Sequence, residues 1–195
     1  VDEHGSWDFG LDFDRHHRGS SLNWDLYGLG RDVHSSRWLA VIQIRQFVRL
    51  RKYGFGSLRK NYYLLGRNED ATVFAHPVSA AVVRSAVNRE RHVVQAVQTW
   101  LWDADYRHVV RQGDIGVVPC RPPQAEKSGG PVILEGSHQI TGSAFRIDSK
   151  SRLYVLDPHV THLPGTHPEV TVEGWARVSV AKRATTWDFA APTVD

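Results

Sequence analysis

A chain of 195 residues and 22.0 kDa, 41% apolar and 23% charged, has the composition of a folded globular protein, which excludes a fibrous repeat or wholesale disorder. No run nears the roughly 18 apolar residues of a membrane-spanning helix. The single cysteine, Cys120, excludes an internal disulfide and a Cys-rich zinc site. The net charge of +3 hides an asymmetry: residues 1–30 sum to −4, residues 31–67 to +8 and the rest to −1. A field so concentrated attracts polyanions or the acidic surface of a partner. Of the 24 bases 19 are arginine, whose planar fork suits phosphate better than an ammonium does.

In chain order, residues 1–36 read as an acidic, glycine-punctuated arm without sustained periodicity, too rich in aromatics (Trp7, Phe9, Phe13, Trp24, Tyr27) for a free tail. Residues 37–108 follow as a basic element plus a helical segment. In residues 38–53 the pattern WLAVIQIRQFVRLRKY fits either a strand or a helix, apolar on one side and basic on the other. Beyond Ala75-His76-Pro77, the stretch VSAAVVRSAV starts as a helix with proline in its first turn, and HVVQAVQTWLW repeats helical spacing after a polar block at 88–92. Residues 109–195 change texture to short β runs (VILE, AFRI, RLYVL, EVTVE, WARVSVA) divided by turn residues. The expected fold is therefore α+β, with a helical middle and a C-terminal small antiparallel β-barrel or sandwich.

The leading functional expectation is binding of RNA or single-stranded nucleic acid without catalysis. Arg45, Arg49, Arg51, Lys52, Arg59, Lys60 and Arg67 would track phosphates, and Tyr53, Phe55 and Tyr62 interleave with them as stacking rings. A structural protein is the alternative, in which the acidic arm of one copy docks on the basic element of a neighbour, or that element meets another acidic protein. A third possibility is an enzyme on the β domain, using His138, His159, His162 and His167 to bind a divalent metal or to move protons. Their spacing matches no standard metal motif, and His159 and His162, three apart in an extended segment, point to opposite faces. The leading reading needs no cofactor and names no catalytic residue. Asp103, Asp105 and Asp114 suggest a Mg²⁺ site, although paired carboxylates beside aromatics are ordinary at a helix end. Cys120 has basic neighbours able to activate a thiol, but no recognisable base.

Gln112-Gly113-Asp114, Glu135-Gly136 and Thr141-Gly142 resemble a little-characterised family of small bacterial and phage proteins. In that family a Gln-Gly-Asp strand start precedes Glu-Gly-x-x-Thr-Gly-His-x-His and a later His-rich pair. The resemblance implies a β-rich fold over about 80 residues and no particular activity. Ser143 and Phe145 stand where the family has its two histidines, and one extra residue separates the last two motifs. No signal-peptide pattern is read, and a start at Val1 with no methionine anywhere reads as a trimmed product, so the expectation is a cytoplasmic protein.

Overall fold

The computed structural model describes residues 21–33, 35–50, 55–67, 72–124, 127–165 and 167–184. Four antiparallel strands come first, β1 (Ser21–Arg31), β2 (Trp38–Leu50), β3 (Phe55–Arg67) and β4 (Val73–Val78), and they pair in chain order. Residues 38–50 are thus a strand, and the register explains why. Alternation of period 2 sends Leu39 and Val41 to one face and Ile42 and Ile44 to the other, so both faces are apolar at the sheet centre. The irregular texture expected of residues 1–36 fails over Ser21–Arg31, which pairs with β2 along its length around a bulge between Leu26 and Gly28. Two glycines and the bulge hide the period in the sequence. Residues 1–20 lie outside the described residues.

Helices α1 (Ala80–Asn88) and α2 (Val93–Trp102) follow, separated where Glu90 turns to φ 52° in the polar block. Val83 and Ala86 of α1 join Val93, Val94, Val97, Leu101 and Trp102 of α2 against Leu39, Val41, Tyr62 and Leu64 of the sheet. This apolar stripe at 3.6-residue spacing holds helices too short to persist alone.

The remaining strands are β5 (Val110–Gln112), β6 (Ile115–Pro119), β7 (Lys127–Ser128), β8 (Val132–Leu134), β9 (His138–Thr141), β10 (Ala144–Ile147), β11 (Leu153–Leu156), β12 (His159–His162), β13 (Val170–Thr171) and β14 (Trp175–Val180). They form one sheet of order β5-β6-β14-β11-β10-β7 and another of order β13-β12-β9-β8. Ile115, Val117, Phe145, Val155, Ala176 and Val178 of the larger sheet share a core with Ile140 and Val160 of the smaller. The protein is β-rich, with two helices and three antiparallel sheets, and these do not close into a barrel among the described residues.

A buried ion pair ties the two halves together. Asp32, in the β1–β2 turn, accepts from Arg111 Nε of β5 at 2.9 Å, and the two side chains are 6% and 12% exposed. Burial opposes the charge on Asp32, but the Arg111 guanidinium and the Ser35 backbone N–H outweigh it and hold the carboxyl below its ordinary value. No helix among the described residues is long and apolar enough to cross a membrane.

Candidate functional site: a histidine cluster over the Gln-Gly-Asp turn

Of the four histidines singled out in the β domain, three meet. His138 opens β9 and His162 closes β12, and the antiparallel register sets them directly opposite each other. Their ring centroids lie 4.7 Å apart. A tight turn follows His162, closed by the Gly165 N–H donating to the His162 carbonyl at 2.7 Å, and it returns the chain so that His167 stands 4.7 Å from His162 and 6.4 Å from His138. His159 falls on the other side of β12, as alternation requires, and bonds Glu169 at 3.0 Å. Sequence spacing could not reveal the meeting because it arises from strand register and a turn.

The floor of the cluster is the β5–β6 turn. Gly113 adopts φ 54°, and a Cβ placed there would lie 3.4 Å from His138 Nε2 and 3.5 Å from His167 Nε2. Two imidazole nitrogens therefore stand over the turn at ordinary contact distance from such a side chain, and glycine is favoured there by the backbone conformation. Gln112, fully buried, reaches under the cluster, and its amide Nε2 donates to the Val160 carbonyl at 3.3 Å and to the Pro168 carbonyl. Asp114 is anchored by Arg183 Nη2 at 2.6 Å, and its backbone carbonyl accepts from the Ala181 N–H at 2.8 Å. On the far side His76 Nδ1 stands 3.8 Å from the Asp114 carboxylate, and His76 Nε2 donates to the Lys182 carbonyl at 2.9 Å. The Gln-Gly-Asp triplet was visible in the sequence, but its role depends on contacts across the fold.

His138 Nδ1 is hydrogen-bonded to Ser137 Oγ at 3.1 Å, and Ser137 Oγ also lies 3.4 Å from the Glu135 carbonyl. His138 Nε2 is buried with no hydrogen-bond partner among the described residues. Burial pushes the His138 imidazole below its ordinary value, and His162 and His167 push the same way. His162 is lowered by burial and then by His167. Neutral imidazoles are ligands and bases, and charged ones are neither. The rings are not already disposed as a closed ligand set: no group of three or more His, Cys, Asp or Glu among the described residues has that arrangement.

The basic stretch is less complete. Arg45 Nε and Nη2 close on Asp25 at 2.9 and 3.0 Å, so a base of the +8 block meets an acid of the −4 block within one chain. Tyr62 is buried, accepting from Gln43 and meeting Tyr27 edge-on at 5.3 Å, which removes it as a stacking platform. Lys60 and Arg67 are exposed. Arg51, Lys52 and Tyr53 lie outside the described residues, as do the side chains of Arg49, Phe55 and Arg59. The three acids suggested for Mg²⁺ do not converge: Asp103 pairs with Lys182, Asp105 with Arg107 and Asp114 with Arg183. The Cys120 thiol is raised, not activated, because burial outweighs its basic surroundings. Comparison with known protein families, curated proteins and solved structures finds no match for this chain.

Proposed function

We propose that this protein binds a divalent transition metal through His138, His162 and His167. The observation that carries the reading is the buried His138 Nε2, without a hydrogen-bond partner among the described residues and beside two further imidazoles. An orphaned buried polar atom costs free energy, which a cation bound to it in its neutral, unprotonated form would return. Three imidazoles bound through nitrogen to a tetrahedral ion, at about 2.0–2.1 Å each, have ring centroids about 5 Å apart. Two of the separations, 4.7 Å each, match that spacing, and the third, 6.4 Å, needs only the loop-borne His167 to swing inward. Neutral nitrogen donors suit zinc, copper, iron or nickel rather than magnesium or calcium. An ion held by three protein ligands with an open position would supply Lewis-acid chemistry toward water or a carbonyl or phosphoryl oxygen, the chemistry of metal-assisted hydrolysis. The chain's own part is to favour the neutral form of His138 and His162 and to hold His138 through Ser137.

Titration of the metal-stripped full chain with Zn²⁺ and Co²⁺ tests this. One equivalent should bind, and His138→Ala and His162→Ala should each weaken binding at least about 100-fold. A wild-type chain that binds neither ion overturns the reading.

A second proposal concerns the basic strands, where exposed Lys60 and Arg67 support binding of RNA or another single-stranded nucleic acid. With Arg45 committed to Asp25, Arg45→Ala should leave affinity nearly unchanged, whereas Lys60→Ala with Arg67→Ala should weaken it and flatten its salt dependence. Affinity for labelled RNA that ignores salt rejects this proposal.

A further inference from the structure

We infer that Gln112 is the positioning residue of the metal centre, the group that fixes the spacing between His162 and His167. This rests on the metal-binding reading above and deepens it. The two histidines belong to a strand end and to a loop, and Gln112 bridges the two segments. Its amide nitrogen has two protons, and each goes to a carbonyl on one side of the pair: Val160, two residues before His162, and Pro168, one residue after His167. One planar amide thus joins both segments from beneath.

The side chain is buried and sits in the strand immediately before Gly113, whose turn lies under His138 Nε2 and His167 Nε2. Both of its acceptors flank imidazoles, and Gln112 Oε1 has no hydrogen-bond partner among the described residues.

The test uses the full chain stripped of metal and loaded with Co²⁺, followed by its visible absorption, which reports ligand number and geometry. Gln112→Met keeps length and apolar packing but removes both donors. It should retain the folded far-UV circular dichroism spectrum, weaken Co²⁺ binding about 10–100-fold and change the band shape. Should Gln112→Met fail to fold, Gln112→Asn keeps the amide but is one methylene too short to reach both carbonyls; it should weaken Co²⁺ binding to a similar degree. A folded Gln112→Met chain with wild-type affinity and spectrum overturns the inference and leaves the metal site standing, as does wild-type behaviour of Gln112→Asn where Gln112→Met does not fold. Failure of the wild-type chain to take up Co²⁺ or Zn²⁺ overturns both together.

Discussion

Two polar sites of the molecule are built differently. Opposite groups meet at the β1–β2 turn, the Asp32 carboxylate and the Arg111 guanidinium, and on the sheet Gln43 meets Tyr62. Over the Gln-Gly-Asp turn like groups gather instead: three imidazoles stand together, and the buried His138 Nε2 and Gln112 Oε1 have no hydrogen-bond partner among the described residues. Opposite groups stabilise the fold where they meet, and the gathered imidazoles are the ones a proposed metal would join.

The largest expected effect breaks the matched side. Asp32→Ala strands the Arg111 guanidinium in the joint between the halves and should cost about 3–5 kcal/mol in urea unfolding. A loss under about 1 kcal/mol would mean that the pair is solvated and not structural.

pH acts on both sides with opposite sign. His138 and His162 titrate below their ordinary 6.5 in the fold, so their contribution is complete above that pH and drains away as pH falls through their folded values. Burial raises Tyr63, on the sheet's other face, from 10.0 to about 12, and between those values the unfolded chain ionises first. Stability should thus decline below pH 6.5 and again above pH 10, as followed by thermal melts. Removing His138 should reduce the acid-side loss, and Tyr63→Phe should flatten the alkaline one.

The smallest stability effect sharpens the comparison. His138→Leu removes a group that is only half satisfied and fills much of its volume with carbon, so the metal-free chain should change by no more than about 1 kcal/mol. A loss as large as that of Asp32→Ala would mean that the imidazole has a structural partner and would remove the contrast.

Much of the architecture was legible in the sequence. The α1–α2 pair shows through Val83, Ala86, Val94 and Val97 at helical spacing, and the short strands of the β domain show through their turn residues. The strand identity of residues 38–50 was not, because a strand buried on both faces loses the alternation that betrays it. β1 was missed for a related reason, since Gly28, Gly30 and a bulge interrupt the period. The histidines were visible as candidates, but their union is a product of register: His138 and His162 are neighbours only because β9 and β12 pair in that alignment. Conversely, the most conspicuous signal, the charge block, said nothing about which bases are already matched, and Arg45 is.

Asp114 has one further consequence. Its backbone carbonyl receives the Ala181 N–H and its carboxylate grips Arg183, so the exit of the last strand is fastened to the turn that carries Gly113. Strain introduced at residues 181–183 would thus reach that turn directly. A residue inserted there is expected to disturb the seat of His138 and His167 more than one inserted at the exposed Asp148–Ser151 turn, where no strand of the cluster takes the strain.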